Sequence, residues 1–137
     1  MTRADVSLTP ELKRRIEAAS GVPVRNDVQS VWRSERGGAP LGWFILDEVV
    51  GKHEFITYAV GLHPDGSVRG IEVLDYRETY GGQIRDPRWR QQFAGKKLGA
   101  ALKLDADIRN ISGATLSCRN VTNGVKRLLA LHEFALR

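Results

Sequence analysis

The sequence predicts one α+β domain in which helices pack on one face of an antiparallel meander sheet. Helix start and stop signals flank residues 10–20, turn chemistry joins two β-like runs near residue 65, and a helical apolar stripe occupies the C-terminal segment. At 137 residues the chain has the size of one compact domain. This order of helices and antiparallel strands is typical of the α+β class.

The first predicted helix begins after Thr9. The tripeptide Thr9-Pro10-Glu11 combines an N-cap hydroxyl, a proline suited to the first turn and an acid that favours the positive end of the helix dipole. Leu12, Ile16 and Ala19 then recur at helical spacing. Gly21-Val22-Pro23 is expected to end the helix.

Four strands are predicted next, and the last two form a hairpin. The turn between them is His63-Pro64-Asp65-Gly66-Ser67, because Asp-Gly favours the backbone angles of a tight hairpin. Loops are expected at Arg36–Pro40 and around Gly51-Lys52. The predicted strands are Val28–Arg33, Gly42–Val50, Phe55–Leu62 and Val68–Leu74.

A short helix is predicted within Arg85–Gly95 and a long amphipathic helix within Cys118–Leu136. Pro87 suits the first turn of the short helix, and Trp89 and Phe93, one turn apart, are expected core residues. The long helix separates an apolar stripe from a polar stripe. The apolar stripe comprises Val121, Val125, Leu128, Leu129 and His132, and the polar stripe comprises Arg119, Asn123, Lys126 and Arg127.

Between these helices, residues 102–107 alternate apolar and polar side chains, which predicts a last strand. The strand is expected to lead through Ser112-Gly113-Ala114-Thr115 into the long helix. Small residues before a helix start let the backbone approach a ligand, and the free N–H groups of the first turn favour an anion such as a phosphate ester. The alternative interpretation is a capping turn that binds nothing, with Ser117 as the N-cap residue.

Composition excludes several classes of function. The lone cysteine, Cys118, excludes an internal disulfide and a multi-cysteine zinc site. His53, His63 and His132 lack the paired spacing of a metal site, so no metal is expected. The sequence contains no nucleophile elbow, Walker loop, dinucleotide fingerprint or zinc-protease motif, so catalytic residues are not expected.

Charge is distributed unevenly along the chain. Residues 1–84 contain 10 Lys/Arg and 12 Asp/Glu, whereas residues 85–137 contain 11 and 4. A basic half attracts phosphate-bearing cofactors, acidic partners or nucleic acid, and composition alone does not choose among them. No apolar run has the length of a membrane span, and the N-terminal residues do not form a signal peptide.

The segment Ser112-Gly113-Ala114-Thr115-Leu116-Ser117 resembles the signature of the FMN-binding domain family. That family includes the C subunit of the sodium-pumping NADH:quinone reductase and the G subunit of the Rnf electron-transport complex. A second match lies upstream, where Glu78-Thr79-Tyr80-Gly81 and then Phe93-Ala94-Gly95-Lys96 follow the family's Glu-Thr-x-Gly and Phe-x-Gly-Lys patterns. We interpret residues 39–137 as the family-like core of a single domain and residues 1–38 as an N-terminal helix and lead-in.

The resemblance implies a cofactor and a role. In the family, a flavin transferase esterifies the FMN phosphate to the motif threonine, here Thr115, and the upstream segment Glu78–Gly81 lies against the flavin ring. One departure is Arg109, since many members have aspartate three residues before the motif serine.

The expected role is that of an electron-transfer domain rather than a stand-alone catalyst. By resemblance, it serves a membrane redox complex outside the cytoplasm and has no nucleic-acid partner. Two other interpretations remain at this stage. One is a flavoprotein or reductase that holds FMN without a covalent bond. The other is a basic binding module in which the motif is only a turn.

Overall fold

The computed structural model describes residues Met1 to Arg137. Short 3₁₀ turns cover Gly82–Arg85 and Gln91–Phe93, and a π-helical turn at His132–Leu136 extends the last helix. None of the helices is both long and apolar enough to span a bilayer. The strands are β1 (Thr2–Arg3), β2 (Val6–Ser7), β3 (Val28–Arg36), β4 (Ala39–Val50), β5 (Phe55–Leu62) and β6 (Val68–Asp75), and the helices are α1 (Pro10–Ser20), α2 (Pro87–Arg90) and α3 (Thr115–Leu131).

The strands form one antiparallel sheet, which confirms the predicted α+β class. β3, β4, β5 and β6 are successive neighbours, and β1 and β2 pair with the other edge of β3. The predicted turn between β5 and β6 is confirmed. The β3–β4 connection is tighter than the expected loop at Arg36–Pro40, because Gly37 and Gly38 both adopt positive φ, 60° and 81°, and close a two-residue turn.

The helices lie on one face of the sheet, where α3 packs against β4 and β5, and α1 packs against α3. Val31, Ile45 and Val60 lie side by side on β3, β4 and β5 and are fully buried on the inner face. Their neighbours Trp32 and Phe44 face the other side, where they remain partly exposed and meet edge to face at 5.6 Å between ring centroids. The core therefore lies between the sheet and α3, as the alternation of the strands indicates.

The signals predicted for α1 are present in the structure. The Thr9 Oγ1 atom accepts the backbone N–H of Leu12 at 3.2 Å, and Gly21 ends the helix with φ at 73°. The prediction that Trp89 and Phe93 are core residues is also confirmed, since both are buried and their ring centroids lie 5.1 Å apart.

The last helix begins at Thr115, three residues earlier than predicted. Its apolar stripe is buried as expected, with Val121, Val125 and Leu128 fully inaccessible. The assignment of Arg127 to a polar stripe was wrong, because its guanidinium is buried beside the carboxylate of Asp47 on β4. A partner distant in sequence thus moves this arginine into the core.

The predicted strand at residues 102–107 is also wrong, and a compact loop stands in its place. The Asp107 carboxylate accepts the backbone N–H groups of Leu102 and Lys103 at 2.9 and 2.8 Å, and Leu102 and Asp105 adopt positive φ. A side chain that captures nearby N–H groups competes with strand pairing. The segment before the motif is therefore a loop, and the motif joins a loop to a helix rather than a strand to a helix.

Leu128→Ala is expected to lower the free energy of unfolding by about 2–5 kcal/mol, because Leu128 is completely buried between α3 and the sheet. Leu74, which is 52% exposed on β6, gives the matched control, and Leu74→Ala is expected to change stability by no more than about 0.5 kcal/mol. Urea titration measures both. Equal effects of the two substitutions would contradict the packing described for α3.

Candidate functional site

A cavity of about 320 Å³ opens where the start of α3, the β4–β5 loop and the segment after β6 meet. Its volume falls at the small end of the range of about 300–1,000 Å³ that is typical of ligand sites. The two sequence segments that carry the family resemblance, far apart in the chain, both contribute to its wall. The lining residues are Lys52, His53, Tyr76, Glu78, Thr79, Tyr80, Gly113, Ala114, Thr115, Leu116 and Ser117.

The start of α3 presents free hydrogen-bond donors to this cavity. The first N–H of α3 to donate within the helix is that of Cys118, which bonds the carbonyl of Ala114 at 3.0 Å. The N–H groups of residues 115–117 donate to no acceptor in the chain, and Ala114 supplies no side-chain cap. Unpaired N–H groups at the positive end of a 17-residue helix favour an anion, and Lys52 lines the same cavity. This end of the cavity suits a phosphate.

Thr115 is the first residue of α3 and lies half-buried in the cavity wall. Its Oγ1 atom accepts a hydrogen bond from Asn110 Nδ2 at 2.9 Å. Gly113, two residues before it, has φ at 83°, so the chain turns sharply towards the helix at a residue without a Cβ atom. The alternative prediction that Ser117 caps the helix is wrong, because Ser117 lies inside the first turn and is buried.

The segment after β6 packs directly against the motif. Gly81 has φ at 89°, and a Cβ atom there would lie 2.2 Å from the Cβ of Ala114 and 2.5 Å from the Oη of Tyr76. Tyr76 Oη donates to the carbonyl oxygen of Tyr80 and lies 3.4 Å from Ser117 Oγ. Glycine at position 81 is therefore required for the two segments to meet.

Tyr80 and Glu78 of this segment both line the cavity, but only Glu78 is held there by side-chain hydrogen bonds. Tyr80 is 73% exposed at the cavity mouth, which leaves its ring available for stacking. Glu78 Oε1 accepts the backbone N–H groups of His53 and Glu54 at 2.5 and 2.7 Å. These two donors hold the pKa of the Glu78 carboxyl below its usual value. Glu78 thus fastens the β4–β5 loop to the cavity, a role that the sequence did not indicate.

Arg109 lies outside the cavity lining, and its side chain is exposed to solvent. Its backbone is held on both sides, since Arg109 O accepts Trp89 Nε1 and Arg109 N donates to Gln92 Oε1, each at 2.7 Å. The nearest upstream acid, Asp107, is committed to the 102–107 loop and to Lys96 Nζ at 3.3 Å. No carboxylate therefore replaces the family's usual aspartate at position 109.

The structure brings together most of the residues predicted for the site. Of the predicted set Ser112, Gly113, Ala114, Thr115, Leu116, Ser117, Glu78, Thr79, Tyr80 and Gly81, all but Ser112 and Gly81 line the cavity. Ser112 is an exposed neighbour of the lining, and Gly81 packs beneath Ala114. The predicted site residues did not include Tyr76, Asn110 or the Lys52-His53 loop, although the position of this loop at the tip of a hairpin was a usable signal.

Cys118 takes no part in the site, although it lies in the first turns of α3. Its thiol is fully buried, and burial raises its pKa above the usual value. The thiol is thus a core side chain rather than a reactive group. No three His, Cys, Asp or Glu side chains come together as a possible metal site.

The geometry describes a small α+β domain in which a helix start with unpaired N–H groups faces an aromatic segment across one cavity. The sequence model of the FMN-binding domain family matches residues 51–130, more than half of the chain, and the chain belongs to that family. Membership confirms the resemblance drawn from the two motifs. It also favours a cofactor site over a plain capping turn.

Several relatives belong to ion-translocating oxidoreductases. The C subunit of the Na(+)-translocating NADH-quinone reductase of Pasteurella multocida is 37% identical over 91 residues, covering 55% of this chain and 35% of that protein. The corresponding C subunit of Yersinia pestis is 29% identical over 147 residues, covering 94% and 53%. The G subunit of the ion-translocating oxidoreductase complex of Escherichia coli is 36% identical over 83 residues, covering 53% and 40%. The chain thus spans between about a third and about half of the length of these relatives.

The fold is shared with a solved structure. The crystal structure of Shewanella oneidensis NqrC superposes with a TM-score of 0.61 at 22% identity, covering 88% of this chain and 64% of that chain. The match extends beyond the residues covered by the family model. A match over 88% of the chain includes part of the segment before residue 51.

Proposed function

We propose that this protein is an electron-transfer domain that carries FMN, esterified through its phosphate to Thr115 by a separate flavin transferase. One observation carries the proposal: the Thr115 hydroxyl stands in the cavity wall at a helix start whose first N–H groups have no acceptor in the chain. A phosphate ester on Oγ1 satisfies these donors. A free threonine hydroxyl is a poor nucleophile, and no side chain that could act as a base bonds it, so a second protein must perform the attachment.

The cavity lining offers contacts for the remainder of the group. The N–H groups of residues 115–117 would hold the phosphate, and the segment that contains Tyr80 would contact the ring. The Gly81–Ala114 contact leaves no room for a larger residue beneath this site. When bound, FMN supplies one-electron transfer, while the protein positions it and tunes its potential. The positive charge of Lys52 favours the anionic reduced flavin, by Coulomb's law, and raises the potential.

The relatives and the surface around the cavity both support a partner in a membrane redox complex. The named relatives are subunits of a Na(+)-translocating NADH-quinone reductase and of an ion-translocating oxidoreductase complex. Tyr80 and Leu116 are exposed apolar side chains in the cavity lining, whereas the exposed Val50 and Phe55 line a separate depression at the ends of the β4–β5 loop. An exposed apolar patch beside a cofactor suits a contact with a protein partner. We place this domain outside the cytoplasm, in line with the family's usual location.

Production with and without a flavin transferase tests the proposal. Protein made alone is expected to be free of flavin, whereas co-produced protein gains the mass of FMN less one water and fluoresces after denaturation. Arg109→Asp is the informative companion, because it restores the usual acid of the family. If only Arg109→Asp is loaded, the site stands but native covalent attachment does not. If neither is loaded and free FMN does not bind, the proposal is wrong.

Tyr80→Ala is expected to shift the reduction potential and change the fluorescence of the loaded protein, because the exposed ring at the cavity mouth is lost. Tyr80→Phe keeps the ring and is the matched control. Potentiometric titration and emission spectra measure both variants. If the alanine variant retains the wild-type potential and emission, the ring does not lie at the flavin.

A further inference from the structure

One buried side-chain polar atom lacks a hydrogen-bond partner, and it belongs to Asn110, which hydrogen-bonds Thr115. Asn110 donates its Nδ2 to Thr115 Oγ1 at 2.9 Å, while its Oδ1 is buried and unpaired. Every other buried side-chain nitrogen or oxygen is satisfied. Buried polar atoms almost always find partners, so an exception beside the candidate attachment residue requires an explanation.

The backbone holds Asn110 firmly in this place. The residue before it, Arg109, is bonded on both sides, its carbonyl by Trp89 Nε1 and its N–H by Gln92 Oε1. On the other side, a turn closes from Ala114 N to the carbonyl of Ile111 at 2.9 Å, which brings Thr115 back towards Asn110. The Asn110 amide and the Thr115 hydroxyl therefore lie on two segments that are each held by hydrogen bonds.

An asparagine amide suits both chemical states of the threonine oxygen. A free hydroxyl donates and accepts, whereas the same oxygen in a phosphate ester only accepts. The Nδ2 group of Asn110 serves Oγ1 in both states, and a rotation of the amide by about 180° lets Oδ1 take the proton of the free hydroxyl instead. No other side chain hydrogen-bonds Thr115 Oγ1.

We propose that Asn110 is a positioning residue that holds the Thr115 hydroxyl in the rotamer required for flavin attachment, an inference that rests on the proposed function. In that step a bond forms between Thr115 Oγ1 and the flavin-side phosphorus of a flavin phosphoanhydride. The hydroxyl proton leaves to a base of the transferase, and the second phosphate departs with the electron pair of the broken anhydride bond. Asn110 donates to Oγ1 throughout and takes no part in bond breaking.

Three variants isolate this role. Asn110→Ala removes the amide, whereas Asn110→Asp keeps its shape but has no N–H to donate and sets a negative charge beside the phosphate. Asn120→Ala is the control, because Asn120 lies on α3, bonds the carbonyl of Val50 and does not touch Thr115. Thermal unfolding confirms that each variant is folded before any comparison.

The first measurement is the initial rate of loading by the transferase with flavin dinucleotide, followed by intact mass. Both Asn110 variants are expected to load at least about ten-fold more slowly than wild type, since small misplacements of a reacting group cost such factors. Asn120→Ala is expected to load at the wild-type rate. The second measurement is the side-chain rotamer of Thr115 in flavin-free protein, from three-bond NMR couplings. A single rotamer is expected in wild type, and averaging is expected in Asn110→Ala.

If Asn110→Ala is loaded at the wild-type rate, the inference is wrong. It is also wrong if the Thr115 rotamer is unchanged in that variant. Loading by Asn110→Asp at the wild-type rate also overturns it, because shape alone would then suffice. If wild type itself is not loaded, the proposed function fails, and the rotamer comparison in flavin-free protein alone decides the role of Asn110.

Discussion

Thr115→Ala is expected to abolish covalent flavin loading completely when the protein is produced together with the transferase. The variant retains the cavity, the free N–H groups of α3 and the partner segment, but it has no oxygen on which the ester can form. The expected result is protein of unmodified mass without fluorescence on a denaturing gel. Intact-mass spectrometry and in-gel fluorescence measure the two signals independently.

Two neighbouring hydroxyls provide matched controls for Thr115. Ser112 is exposed just before the turn, and Ser117 is buried inside the first turn of α3. Ser112→Ala and Ser117→Ala are each expected to retain at least partial loading, because neither removes the attachment oxygen. Loading that persists in Thr115→Ala but disappears in one of the serine variants would move the attachment to that serine.

Arg127→Met is expected to destabilise the fold by about 3–5 kcal/mol, because it leaves the Asp47 carboxylate buried without its cation. Asp47 is otherwise held by Tyr58 Oη at 2.5 Å, and Arg127 also donates to Gln29 Oε1 at 3.3 Å. The network joins β3, β4 and β5 to α3, so its loss affects the whole core. Denaturant titration measures the change in the free energy of unfolding.

Arg119 on the same helix supplies the control for Arg127. Its side chain is exposed, so Arg119→Met is expected to change stability by no more than about 0.5 kcal/mol. Similar small effects in both variants would show that the buried pair contributes little.

The close approach of Gly124 to this network, where a Cβ atom would lie 2.0 Å from Tyr58 Oη, explains a glycine in the middle of α3.

The elements that the sequence predicts well are those specified by local signals. The Thr9 cap and Gly21 define α1, and Asp65-Gly66 defines the β5–β6 turn. Residues 102–107 were predicted to be a strand but form a loop, because the Asp107 carboxylate accepts backbone N–H groups that would otherwise pair with a neighbouring strand. An alternating pattern of polar and apolar residues indicates which side chains are buried. It does not indicate which side chains hydrogen-bond the backbone.

Long-range pairing explains the other differences. Arg127 carries a polar pattern, yet its partner Asp47 lies 80 residues away and draws it into the core. The site follows the same rule, since motif residues were identified by their resemblance to a family, whereas Tyr76 and Asn110 act through contacts that only the folded chain creates. The role of Glu78 in fastening the β4–β5 loop was hidden for this reason too.

Tandem mass spectrometry of one peptide tests the central claim most directly. Trypsin cleaves after Arg109 and Arg119, and the peptide Asn110–Arg119 contains Ser112, Thr115 and Ser117. In protein produced with the transferase, we predict that this peptide carries the mass of FMN less one water and that fragmentation assigns the addition to Thr115. An unmodified peptide from protein that also fails to bind free FMN, or an addition on either serine, would contradict the account.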